Sequence, residues 1–208
     1  MAQARRLLPS MSQLAAFEAV CRTGSTLAAA ADLSLTGSLR GDRWRGALSE
    51  LKLKTPLKRW TLSAPWSLDL DLARQQLTMG DLCLGSQGAS LCVKGSQVSA
   101  AQGSLEFALN EFDLKRLRPW LPDNFRWQAM LSADGRASWR GSQPTLHARV
   151  STTPGTLVAD EIKTEYQRLE LGVDFERQQA AIRVDFASRQ IGNIDTDLLI
   201  KEPAGPGL

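Results

Sequence analysis

The chain has 208 residues, 43% of them apolar, enough for one large or two small domains with a core. Its formal charge of +3 is unevenly placed: residues 1–60 carry ten Lys and Arg against four Asp and Glu, and the remainder carries fifteen against eighteen. A body so near neutrality excludes a nucleic-acid platform, which needs a basic stripe along its whole binding face, and no apolar run approaches the roughly eighteen residues of a membrane-spanning helix.

Residues 1–32 differ from everything after them. LPSMSQLAAFEAVCRTGS sets Leu14, Phe17, Ala19 or Val20, and Cys21 on one helical face, with Ser12 placed to cap the start and Gly24 to end it, so one N-terminal helix is expected. A signal peptide is not expected at the start, because Arg5-Arg6 is followed only by Leu7-Leu8 before Pro9. A body of exported character without an export signal is expected to be a piece of a longer protein. LPSMSQLAAFEAVCRTGSTLAAAADLSLTGS, about residues 8–38, resembles the opening of LysR-type transcription regulators. That resemblance implies a helix-turn-helix, but it stops at Gly37-Ser38, and a partial motif cannot seat a recognition helix in the major groove. Residues 1–32 therefore read as a helical segment outside the main fold, a fusion or a mispredicted start, and residues 33–208 as the main domain.

From Leu33 onward the apolar period is two. Leu33, Leu35 and Leu39 lead to Leu48, Leu51 and Leu53; Trp60 and Leu62 precede Pro65; Trp66, Leu68, Leu70 and Leu72 alternate with Ser67, Asp69 and Asp71. DLCLGSQGASLCV reads as a hairpin that places Cys83 opposite Cys92 across a glycine-bearing turn. Leu105, Phe107 and Leu109 follow, and then EFDLKRLRPWLP, where Leu114, Leu117 and Leu121 are at helical spacing, predicts a short helix near 112–121. Strands resume with Trp127, Ala129, Leu131 and Ala133; with Leu146, Ala148 and Val150; with Leu169, Leu171, Val173 and Phe175; with Ala180, Ile182, Val184 and Phe186; and with Ile194, Leu198 and Ile200. Segments of about five to eight residues are expected, with turns at Gly41-Asp42, Ala133-Asp134-Gly135, Gly141-Ser142 and Pro154-Gly155. Short connections predict a meander of neighbouring antiparallel strands, an all-β fold with one wet face. A sandwich, a barrel or a curled trough would each hide the apolar face. A transmembrane barrel is disfavoured by a single Tyr and by the short, interrupted strands.

The chemistry inventory is negative. His147, the only histidine, stands at an outward position of LHARV with no ligand partner at metal spacing; no nucleophile elbow, phosphate loop or HExxH occurs. Asp69 and Asp71 lie on a wet face, without the burial that separates the proton affinities of a catalytic pair. No enzyme activity, cofactor or metal is expected. Cys83 and Cys92 read either as two small buried hydrophobes or, in an oxidising compartment, as a disulfide. The six tryptophans fit core or turn packing and an acyl-chain groove equally well.

The order of GSLRGDRWRGALSELKL, WTLSAPWSLDLDL, the Cys83 and Cys92 pair, and GSLEFALNEFDLKRLRPWLPDNFRWQAMLSADGRASWRG is similar to a later-middle part of the TamB family, over about residues 33–208. The resemblance implies an inner-membrane-anchored periplasmic protein whose sheet curls into an open groove, a β-taco shared with AsmA-like and bridge-like lipid-transfer proteins. It also implies phospholipid acyl chains as cargo, the outer-membrane Omp85-type protein TamA as partner through other parts of the chain, and the rest of the TamB-like chain as a further partner. The residues implied to line the groove are Trp66, Leu68, Leu70 and Leu72; Leu105, Phe107 and Leu109; Leu131 and Leu146; Leu169, Leu171 and Val173; Ile182 and Val184; and Leu198. Function is then phospholipid conduction between membranes, or assistance to outer-membrane proteins and autotransporters during assembly. The other readings are a β-sandwich scaffold and a truncated DNA-binding fragment.

Overall fold

Strict apolar–polar alternation turns nearly the whole body into strands. The computed structural model describes residues 30–201 apart from 56, 96–97 and 177–178. The expected N-terminal helix lies outside the described residues. The strands are β1 (Ala30–Arg40), β2 (Arg43–Thr55), β3 (Lys58–Leu62), β4 (Trp66–Asp71), β5 (Gln76–Met79), β6 (Leu82–Ser86), β7 (Ala89–Gly95), β8 (Val98–Ser99), β9 (Gln102–Asp113), β10 (Phe125–Gln128), β11 (Met130–Arg140), β12 (Gln143–Thr152), β13 (Gly155–Ala159), β14 (Ile162–Tyr166), β15 (Arg168–Glu176), β16 (Gln179–Ser188) and β17 (Gly192–Lys201). Fourteen make one antiparallel sheet; β10, β13 and β14 make a second, three-stranded one.

Register shows the large sheet to be a meander of neighbouring rungs. β1 occupies one edge of β2, so β3 and β4 share the other, and Thr55↔Lys58 and Leu48↔Trp66 belong to one hairpin with a single slip. The break falls at Ser63–Pro65, where proline has no N–H for the ladder, yet Ser63 N still donates to Cys83 O at 2.8 Å. In the same way β5 and β6 are one broken strand, and so are β7 and β8. The rungs run in chain order as β1, β2, β3/β4, β5/β6, β7/β8, β9, β11, β12, β15, β16 and β17, with β1 and β17 as the edges among the described residues. Ten spacings of ~4.8 Å make a ribbon about 50 Å long. The sheet is open, not closed, and the expected all-β meander is what the structure has.

Two expectations need correction. Eight of the seventeen strands exceed five to eight residues, reaching thirteen in β2, and Ala133-Asp134-Gly135 is no turn but the middle of β11. Glycines that read as punctuation are spanned because a neighbouring ring covers them. A Cβ on Gly135 would stand 2.6 Å from Phe107 Cζ, and one on Gly103 2.3 Å from the Trp139 ring. Ring-on-glycine contact restores the packing that a bare glycine forfeits in a strand.

The meander is interrupted twice, after β9 and after β12, at the same ends of the strands. The first excursion is a 3₁₀ helix, Leu114–Trp120, started by Asp113 accepting from Lys115 N at 2.9 Å, followed by β10. This is the short helix expected near 112–121. The second is the β13–β14 hairpin, which pairs with β10. Reading Trp127 to Ala133 as one strand was a misreading of this region: the chain leaves the small sheet at Gln128 and enters the large one at Met130. Together the excursions form a cap, and beneath it lies the well-buried core of the described residues, Trp60, Leu84, Ala89, Phe112 and Leu114, with Leu117, Trp127 and Leu131 against it.

Candidate functional site

Register assigns every side chain of the large sheet to one of two faces. On the first, Leu105, Phe107 and Leu109 stand beside Ala137, Gly135 and Ala133, and these beside Leu146, Ala148 and Val150. The row continues through Phe175, Val173 and Leu171, then Ala180, Ile182 and Val184, and ends on Ile200, Leu198 and Thr196. In the other direction it passes Val93 and Leu91 to Leu82 and Leu84, Leu62, Leu48, Trp66, Leu68 and Leu70. Bulges keep the phase: the slip at Ser34/Leu35 re-aligns Leu48 with Leu51 in β2, and Glu111, at φ 53°, puts Phe112 on the same face as Leu109. Of the fifteen sequence-selected positions, fourteen share this apolar face. Leu72 lies just past β4 and is exposed.

Away from the cap nothing covers this face among the described residues. Leu105, Leu171, Val173, Ile182 and Val184 are only half-buried, while Leu33 is 55% and Leu198 52% exposed. A contiguous apolar surface of this extent makes this face the candidate binding site. The cap closes one margin, the ends of the strands that carry Trp60, Leu84, Phe112 and Leu131. It is pinned by Trp127 Nε1, which donates to the Tyr166 hydroxyl at 2.9 Å; the same oxygen lies 3.1 Å from Thr152 Oγ1 on β12, and the Tyr166 ring packs 5.8 Å from Phe186 on β16. Arg116 ties the 3₁₀ helix to the tip of the β6–β7 hairpin by donating to Ser86 O and Gln87 O.

The second face is a lattice of cross-strand ion pairs: Lys94 with Asp81 at 3.2 Å, Arg136 with Glu106, His147 Nδ1 with Asp174 at 2.7 Å, Arg183 with Asp197 at 2.9 Å and Arg168 with Asp185 at 2.9 Å. A recess of about 750 Å³ lies on this face rather than on the apolar one. It is the space between standing charged side chains, most already paired, so it offers solvation and little uncompensated charge. Exposed pairs contribute little stability each; their effect is to keep one side of the ribbon wetted. Arg43 and Arg45 both donate to Asp69, at 2.7 and 2.9 Å, and the Arg43 hydrogen bond above all holds the Asp69 carboxyl below its usual range. A depressed carboxyl stabilises the fold above its unfolded pKa and loses that contribution as pH falls through the folded one. The Tm gap between the native protein and Asp69→Asn is therefore expected to be present at pH 6 and to vanish in strong acid, well below about pH 4; a gap constant with pH would contradict it.

The cysteines are on this charged face. Gln87 and Gly88, both at positive φ, form the two-residue turn whose twist suits a tight hairpin, and that turn sets Cys83 directly opposite Cys92. Their Cα atoms are 4.1 Å apart and the sulfurs are bonded. Opening this short loop by Cys83→Ser with Cys92→Ser is expected to cost roughly 2 to 3 kcal/mol in urea unfolding on the chain-entropy estimate, and equal midpoints with and without reductant would oppose that. Among the described residues no group of three or more His, Cys, Asp or Glu is placed to hold a metal.

A family model described as TamB, N-terminal domain, matches residues 24–207. The chain belongs to the TamB family. TamB is a component of a translocation and assembly module in outer-membrane biogenesis, a periplasm-spanning, inner-membrane-anchored protein and not a known enzyme. The matched part is by its description the N-terminal domain, whereas the sequence resemblance points to a later-middle part; the family is the same and the position within it is corrected. No solved structure matches this TamB chain. No helix among its described residues is long and apolar enough to cross a membrane.

Sequence reading missed two functional elements of the site. The β13–β14 hairpin carries a weak alternation, Leu157 with Thr164, and the cap it completes depends on a pairing with β10 that no local pattern announces. Of the ring-on-glycine contacts only that of Trp44 with Gly46, two residues apart, is local enough to detect; Trp139 covers Gly103 and Phe107 covers Gly135, from other strands.

Proposed function

We propose that the apolar face conducts phospholipid acyl chains along the ribbon, from the β1 edge to the β17 edge. The observation that carries this reading is the continuity of one apolar row across all eleven rungs with a second layer over one margin only. An uncovered row of Leu, Val, Ile and Phe is unfavourable in water, and an acyl chain laid on it gains about 0.8 kcal/mol per buried methylene. The paired charges of the opposite face keep the ribbon wetted in the periplasm, and membership of the TamB family supplies the setting in which such a conduit joins an inner-membrane anchor to an outer-membrane partner of the TamA kind. A β-sandwich scaffold fits less well, because the three-stranded sheet is too small to face fourteen strands. A DNA-binding fragment would rest mostly on residues outside those described, and the described end of that stretch is strand β1.

A second use is favoured by a separate observation: both edge strands are long and, among the described residues, have no partner along their outer edges, and an extended substrate strand could add to either by main-chain hydrogen bonds. The two uses are separable, because conduction depends on side chains of one face and strand addition on the backbone of an edge. Native mass spectrometry of protein purified from membranes is expected to show bound phospholipid. Protein that is lipid-free and does not take up lipid from vesicles would refute conduction.

A further inference from the structure

The cap holds a small cavity outside the apolar row. It measures about 200 Å³ and is walled by Leu114, Leu121 and Trp127, with Lys115, Arg118 and Arg126 around it. Residues 114–128 carry four cationic side chains, Lys115, Arg116, Arg118 and Arg126, against the single carboxylate Asp123, in a body otherwise close to neutral. Arg116 is committed to the hairpin tip and to the Phe112 ring. Arg118 reaches only a main-chain oxygen, that of Asp123, at 3.1 Å. Among the described residues Lys115 and Arg126 make no ion pair, in contrast to Arg136, Arg168 and Arg183 on the charged face, each of which has a carboxylate partner.

We propose that the cap is a headgroup site for anionic phospholipid, in which Lys115, Arg118 and Arg126 meet the phosphate while the cavity takes the end of one acyl chain. This deepens the conduction reading and rests on it. The cavity is smaller than the usual pocket for a whole ligand, so it accommodates part of a lipid and leaves the remainder to the apolar face, which begins at the same residues: Leu114 and Trp127 wall the cavity and also belong to the cap core. Three cations around an apolar opening complement an amphiphile with negative charge beside its chains. They give no advantage to a zwitterion, whose ammonium they repel. Selection between lipid classes thus falls to the margin of the conduit.

The test is calorimetric titration of the whole protein with dihexanoyl phosphatidylglycerol and, separately, dihexanoyl phosphatidylcholine. The native protein is expected to bind the anionic probe about tenfold more tightly, and Lys115→Gln with Arg118→Gln and Arg126→Gln is expected to bring the ratio close to one. The three side chains are exposed, so the variant should fold; Lys115→Gln alone, which keeps the Lys115 backbone N–H on Asp113, provides a milder arm with a partial loss. Equal affinities in the native protein, or an unchanged ratio in both variants, would overturn the proposal. Displacement of the probe by equimolar inorganic phosphate would also overturn it, by assigning the cations to free anion. Leu171→Asp separates the two readings. A preference for the anionic probe that survives in it supports the cap site, whereas failure of conduction appears as absence of membrane lipid on the native protein.

Discussion

Leu171→Asp is expected to strip co-purifying phospholipid from the protein, by tenfold or more, with a shift in Tm of only a few degrees. Leu171 sits in the middle of the ribbon between Val150 and Val184 and is only half-buried. In the empty protein an aspartate there keeps part of its hydration, so the folded state pays little of the large cost of a buried charge. A chain lying across that row would dehydrate the carboxylate, and a penalty of even 1.4 kcal/mol is about a factor of ten in binding. Glu170→Lys, one residue away on the wetted face, is the matched control and should leave the lipid content as it was. Lipid retained by Leu171→Asp, or lost equally from both variants, would show that the apolar row is not where the chains lie.

Most of the large sheet is legible in the sequence, and for a physical reason. A strand with one buried and one wet face must alternate, and Leu169 to Phe175 or Ala180 to Phe186 can satisfy that constraint in only one register, since a slip of one residue would turn Leu171 or Ile182 to water. Fourteen of the fifteen chosen positions therefore fall on one face. Leu72 does not, because the alternation continues past the point where Leu72 N turns to bond Asp42 O. What local pattern cannot carry is anything decided by a distant partner. Gly135 reads as a turn when taken with Asp134 and becomes mid-strand only once Phe107 lies over it. Trp127 fits the alternation of Ala129 and Leu131, yet its indole is claimed by Tyr166, 39 residues away.

The same limit explains the site. The apolar row is a sum of local periodicities and so could be listed in advance, although its openness could not: sandwich, barrel and trough demand the same alternation. The difference is made by whether a second layer exists, and here that layer is only the cap. Its basic residues sit in a helical segment whose spacing of Leu114, Leu117 and Leu121 draws attention to packing, while the meeting of Lys115 with Arg126 around one cavity depends on the turn at Pro122 and the entry into β10.

Because burial is so uneven, stability should be uneven as well, and Leu114→Ala tests this. Leu114 is 0% exposed, at the centre of the cap core, with Trp60 stacked 6.5 Å from Phe112 beside it. Truncating a fully buried leucine removes its transfer free energy and leaves a cavity, about 2 to 5 kcal/mol in all. Leu171→Ala on the open row removes less, of order 1 kcal/mol, since half of that side chain is already in water. A domain of this size loses roughly 2 to 4 °C in Tm per kcal/mol, so the two truncations should be resolved by differential scanning calorimetry in the lipid-free protein. With lipid bound, both variants should gain stability by mass action, and Leu171→Ala should forfeit part of the gain made on the row. Equal destabilisation of the two variants without lipid would mean that the row is packed as densely as the core, and an open conduit would be excluded on energetic grounds alone.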